Sequence, residues 1–183
     1  RLLLQDLRDA GYVVDHIPTD RQKFIDELIA GATNDRDYMS EKQIDNADAK
    51  LLVSAYRDYY RTLPEKVQQR LAQDWGEAPG DVFFYDDFLL IPGTLNGNIF
   101  ITMQPPRGFG EDPDKIYHSP DCAPTHHYLG FYHWVRDIWG ADAMMHIGTH
   151  GSLEWLPGKG VAMGDECYPD ICTGDLPNVY PYW

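Results

Sequence analysis

Cysteine is scarce in this chain. Cys122, Cys167 and Cys172 are the only three in 183 residues, and the last two are spaced CxxxxC. Three cysteines make no disulfide framework, and a zinc or iron–sulfur site would show tighter pairs and a fourth ligand. Buried thiols in a reducing cytoplasm are the default account. Basic residues are also few, with 15 Lys and Arg against 29 Asp and Glu for a net charge of −14. That balance argues against nucleic acid as a partner. No apolar run approaches the length of a membrane span, and no charged-then-apolar signal stretch opens the chain. A Gly-x-x-x-x-Gly-Lys-Ser/Thr phosphate loop is missing, and no HExxH helix is present. No repeat or low-complexity segment is visible.

What is there is globular. Hydrophobic residues make up 43% and aromatics 13%, and the length suffices for one domain with a sizeable core. The chain begins on Arg1 and stops on Trp183 directly after a motif, so the expectation is a piece of a longer polypeptide. Charge is uneven. Residues 1–80 carry 11 basic against 15 acidic residues, whereas residues 81–183 carry 4 against 14 and six of the seven histidines. A negative field that concentrates cations suits metal handling, but for the charge alone an ordinary solubilising surface is the better account.

The first part reads as helical. Leu2, Leu3, Leu4 and Leu7 end at Gly11, and Tyr12-Val13-Val14 follows as a short strand. Thr19 and Gln22 have capping-box spacing ahead of Phe24, Ile25, Leu28 and Ile29. Thr33 to Asp48 is polar and reads as an irregular connection. Leu51, Leu52, Ala55, Tyr56, Tyr59 and Tyr60 recur at helical spacing, and Pro64 opens a helix closed by Gly76. The tyrosines suit one half-buried helix face better than a stacking surface for a flat ligand. A subdomain boundary is expected near Pro79-Gly80, giving a mainly helical part over 1–79 and an α/β part over 80–183. Beyond it, Val82 to Tyr85, Phe88 to Ile91 and Asn98 to Met103 are strand-like runs. Gln104 to Thr125 is a long Pro-, Gly- and Asp-rich loop carrying Phe109, Ile116 and Tyr117, and a lid is one account of it. Thr125 then caps a helix that ends at Gly140, and a strand over Ala143 to Ile147 follows. Strand, crossover helix, strand implies a parallel βαβ core in the second half.

The chain is organised around the stretch from Ala141 to Lys159. Gly148 and Gly151 bracket Thr149 and His150 at the end of the strand, and Ser152-Leu153-Glu154-Trp155-Leu156 leads to Pro157-Gly158-Lys159. Open α/β sheets place ligands at strand ends. With a helical turn starting at Ser152, Glu154 points the same way as His150, a pairing that suits a divalent metal or proton movement. A histidine satisfying backbone groups at a tight turn and a glutamate at a helix start remain the alternative.

Gly148 to Lys159 (GTHGSLEWLPGK), Cys167 to Asp170 (CYPD) and Gly174 to Tyr182 (GDLPNVYPY) together resemble the large subunit of cobaltochelatase and the related H subunit of magnesium chelatase. The resemblance implies a fragment of the tetrapyrrole-binding subunit of an ATP-dependent chelatase, with AAA+ ATPase subunits and the rest of the large subunit as partners. It implies cobalt insertion into a corrin precursor, with magnesium insertion into a porphyrin as the alternative. Leu153-Glu154-Trp155 and Tyr180-Pro181-Tyr182 look more like the cobalt type. It further implies His150 and Glu154 as metal-holding and catalytic residues, and His127 at the tetrapyrrole. Lys159 and Arg107 are candidates for a tetrapyrrole carboxylate, with turn capping as the rival role. His146, about 13 Å from His150 along an extended strand, is expected in the core or behind the site. A metal-dependent hydrolase and a non-catalytic tetrapyrrole-binding module stay open as other classes.

Overall fold

A computed structural model describes residues 2–35, 39–108 and 119–181. The chain divides into two compact units, one of residues 1–50 and 90–103, the other of residues 51–89 and 104–183. Pro79 and Gly80, where the composition changes, lie inside the second unit.

In the first unit, helix α1 (Leu2–Asp9) is followed by an extended segment, not a strand, at Tyr12 to Val14. Helix α2 (Arg21–Leu28) is capped by Asp20, whose side chain accepts from Lys23 N, one residue later than the Thr19 spacing implies. The polar connection contains a helix that the sequence reading passed over, α3 (Glu41–Asp45). Ser40 and Gln43 close a capping box there, and this four-residue pattern is its local cause. Strand β1 (Ala49–Leu52) leads out of the unit. Strands β4 (Thr94–Asn96) and β5 (Ile99–Ile101) form an antiparallel hairpin with Asn96 opposite Ile99. Gly97 turns it at φ +66, and a Cβ there would stand 2.3 Å from Val13 O, so only glycine fits. Buried Asn96 ties the extended chain down by accepting from His16 N at 2.9 Å and donating to His16 O at 2.8 Å.

In the second unit, helix α4 (Val53–Thr62) buries Val53, Tyr56 and Tyr60, the half-buried aromatic face that its spacing implies. Helix α5 (Glu65–Trp75) begins after Pro64 and stops at Gly76, which has φ +82. Strands β2 (Phe84–Tyr85) and β3 (Phe88–Ile91) pair antiparallel, with Phe84 opposite Leu89 and Tyr85 opposite Phe88. Helix α6 (His126–His133) is capped by the Thr125 side chain and has every residue buried. It continues as one π-helical turn, Trp134–Ile138, before Gly140. Gly130 lets α6 approach Leu89 and Leu51 closely, since a Cβ there would lie 3.1 Å from Leu89 Cδ1. Strand β6 (Met144–Met145) pairs parallel with β7 (Asn178–Val179), and helix α7 (Tyr168–Thr173) lies between them in sequence.

The fold is mixed α/β, but the parallel part differs from expectation. Among the described residues β6 and β7 supply the parallel pairing, and β5 pairs with β4, not with β6. A local hairpin closes with a two-residue turn, so it forms in preference to a long parallel crossover. No helix among the described residues is long and apolar enough to cross a membrane.

Candidate functional site

After β6 the chain makes an isolated bridge at Gly148 and then runs irregularly past His150 to a 3-10 turn, Leu153–Trp155. Ser152 begins that turn from a buried position. Glu154 folds back on the loop and accepts the Gly151 N–H on Oε1 at 3.0 Å. His150 Nδ1 stands 4.0 Å from the same oxygen, with side chains 61% and 39% exposed for His150 and Glu154. One carboxylate oxygen is therefore held by the backbone while both functional groups stay open to solvent. Glu154 and Leu153 line an open groove of about 430 Å³ with Met163, Pro169, Leu176 and Tyr180.

His146 comes closer to Glu154 than an extended strand would allow, because β6 ends at Met145 and the chain turns. Glu154 Oε2 and His146 Nδ1 lie 3.3 and 3.5 Å from the point where a Cβ on Gly151 would stand, and Gln104 Oε1 lies 3.2 Å from it. The His146 ring meets Tyr180 edge-on, with centroids 5.7 Å apart. Burial lowers its pKa, against the opposing pull of Glu154. The imidazole is therefore neutral near pH 7.

The other candidates fall elsewhere. Lys159 is exposed, and its backbone N–H donates to Cys167 Sγ at 3.3 Å. Arg107 does not reach an open surface. It is 0% exposed, and its guanidinium donates to Trp155 O, to Ser119 O at 2.9 Å and to Cys122 O at 2.7 Å. A cation so enclosed clamps the loop ends to the 3-10 turn and is not placed to meet a ligand carboxylate. His127, expected at the tetrapyrrole, is likewise fully buried and packs on Phe83 with ring centroids 4.4 Å apart. His126 is also a core residue, bonded to Tyr56 Oη and Gly76 O at 2.8 and 2.9 Å. His133 stacks on Tyr59 and bonds Asp137 at 2.7 Å. Of the Gln104 to Thr125 loop, for which a lid is one account, residues 109–118 with Phe109, Ile116 and Tyr117 lie outside the described residues. The three cysteines are free thiols. Among the described residues no group of three or more His, Cys, Asp or Glu is disposed to hold a metal ion.

The sequence reading overlooked Gln104. Its side chain bonds Ser152 N and the Tyr128 and Tyr132 hydroxyls. Nothing local signals this role, since Gln104 and Ser152 are 48 residues apart.

A family profile described as CobN/Magnesium Chelatase matches residues 1–183. The chain belongs to the CobN/magnesium chelatase family. Within that family it is 50% identical over 180 residues to an uncharacterized protein of Methanocaldococcus jannaschii, covering 98% of this chain and 14% of that protein. It is 40% identical to the aerobic cobaltochelatase subunit CobN of Pseudomonas aeruginosa, with the same coverage. The chloroplastic magnesium-chelatase subunit ChlH of Oryza sativa is 36% identical, over 98% of this chain and 12% of that subunit. The solved catalytic subunit of cobaltochelatase from Mycobacterium tuberculosis superposes with a TM-score of 0.80 at 37% identity, over 99% of this chain and 16% of that one. The CobN/magnesium chelatase segment described here thus spans about a seventh of such subunits.

Proposed function

We propose that this segment carries the metal-insertion residues of an ATP-dependent chelatase subunit, with Glu154 as proton acceptor and His150 as the metal-holding ligand. The observation that carries it is the Glu154 carboxylate, oriented by the Gly151 N–H beside His150 at the edge of an open groove. Inserting a divalent ion into a tetrapyrrole forms metal–nitrogen bonds and releases two N–H protons. A neutral imidazole donates a lone pair to the incoming ion, and a carboxylate takes the protons and passes them to water. Two side chains leave most of a metal's coordination sphere to water and substrate, which suits an ion that must be handed on. Lys159, exposed beyond Pro157-Gly158, is the remaining candidate for a tetrapyrrole carboxylate, while enclosed Arg107 holds the loop ends to the 3-10 turn.

Cobalt is the favoured ion, and a corrin precursor the favoured ring, because the relative named as a cobaltochelatase subunit is 40% identical and the solved cobaltochelatase subunit 37%. Magnesium and a porphyrin form the second reading, supported by the ChlH relative at 36%. AAA+ ATPase subunits supply the energy as partners, and the setting is the cytoplasm, consistent with three free thiols. Glu154→Gln preserves size and removes the charge. In the full-length subunit with its ATPase partners it should lower turnover by roughly a hundredfold or more with tetrapyrrole affinity unchanged. Running the assay with Co²⁺ and with Mg²⁺ separates the two readings. Wild-type turnover in the variant would remove Glu154 from the mechanism.

A further inference from the structure

Gln104 sits half-buried between α6 and the 148–156 loop. Its orientation follows from Ser152, whose backbone N–H can only donate and lies 2.7 Å from one amide atom, so that atom is the oxygen. The amide nitrogen then faces two phenols and donates to Tyr132 Oη at 2.7 Å and Tyr128 Oη at 3.2 Å. Tyr128 Oη lies 2.8 Å from Ser152 Oγ, which closes a ring of hydrogen bonds back to the loop. Burial pushes both phenols above their ordinary range, so both keep the proton that the ring needs. Both also stand on a helix with every residue buried, so the far side of the ring is fixed.

The near side is the site itself. The residue before Ser152 is Gly151, whose N–H orients Glu154 Oε1. Gln104 Oε1 and Glu154 Oε2 approach the same face of Gly151, at 3.2 and 3.3 Å from its Cβ direction. A shift of the amide therefore moves Ser152, then Gly151, then the donor that aims the carboxylate. We infer that Gln104 is a positioning residue for Glu154, acting through the Ser152–Gly151 backbone and referenced to the Tyr128–Tyr132 face of α6. The inference rests on the proposed role of Glu154.

The test uses the full-length subunit with its ATPase partners and four variants: Gln104→Leu, Tyr132→Phe, Glu154→Gln and the double variant Gln104→Leu/Glu154→Gln. Leucine keeps most of the volume and neither donates nor accepts. Gln104→Leu should lower kcat roughly tenfold or more with tetrapyrrole Kd unchanged, the scale of a misplaced reacting group. Tyr132→Phe, which spares the Ser152 contact, should lower kcat by less. The deciding result is the double variant, which should turn over no more slowly than Glu154→Gln alone. Multiplying losses, or normal kcat with weakened tetrapyrrole binding, would overturn the inference. Should Gln104→Leu fail to fold, Tyr132→Phe in the Glu154→Gln background answers the same question, masking supporting the inference and multiplication refuting it. A Glu154→Gln variant of normal turnover would remove the proposed function and this inference together. A crippled Glu154→Gln beside a normal Gln104→Leu would remove only the inference.

Discussion

At the scale of the residue, Arg107 shows how burial reassigns a charge. Read from its neighbours in sequence, an arginine between Pro106 and Gly108 suits a ligand carboxylate or a turn cap alike. In the fold its guanidinium is enclosed and serves the carbonyls of Trp155, Ser119 and Cys122. Methionine in its place keeps length and loses every donor, leaving three carbonyls to find other partners. Each acceptor so orphaned costs at most about 1–3 kcal/mol, with water access and relaxation reducing the sum. Arg107→Met should therefore lose about 3 kcal/mol in urea unfolding. Unchanged stability together with weaker tetrapyrrole binding would return Arg107 to a ligand-contacting role. His150 and Glu154 were legible for the opposite reason. They are four residues apart within one turn of chain, so local geometry alone decides that they meet.

At the scale of the element, α6 is the reference against which the site loop is held, and a histidine is bonded into its start. His126 Nε2 faces Gly76 O, an acceptor, so that nitrogen carries the proton and Nδ1 accepts from Tyr56 Oη. Burial lowers the His126 pKa below 6.5, opposed by the Gly76 carbonyl and by Glu77. The ring is neutral in the fold, so the unfolded chain takes up the proton first as pH falls. Unfolding then gains protons below about 6.5, and stability present above that value is lost toward pH 5. His133 and His146, also lowered chiefly by burial, act in the same direction. The urea midpoint should drop between pH 7.5 and pH 5.5, and the drop should shrink in His126→Gln. An equal drop in that variant would show that other groups carry the dependence.

At the scale of the whole molecule, the segment covers 14% of the P. aeruginosa CobN relative, and its groove is open. Metal insertion needs a macrocycle held on several sides and an energy source, and a pocket for such a ligand buries most of its surface. The segment expressed by itself should therefore form no metallated tetrapyrrole from Co²⁺ or Mg²⁺, followed by the visible absorption spectrum. Product formed by the segment alone, with no ATPase added, would overturn this expectation.

Periodicity located α2, α4, α5 and α6, but Leu51 and Leu52, counted into the helical spacing, belong to β1, and α2 is capped by Asp20 instead of Thr19. The helices were legible because a helix is stabilised by contacts three and four residues away. The motif from Gly148 to Lys159 determined the family for the same reason: its chemistry is contiguous. Strand pairing was not legible, since the apolar run Ile99-Phe100-Ile101 reads the same whether it pairs with β4 or with β6. Nor were the burial of His127 and Arg107, the approach of His146 to Glu154, or the hold of Gln104 on Ser152. Each depends on which surface packs against which, a sum of burial and hydrogen bonding over residues tens of positions apart. Only the tertiary structure could decide them.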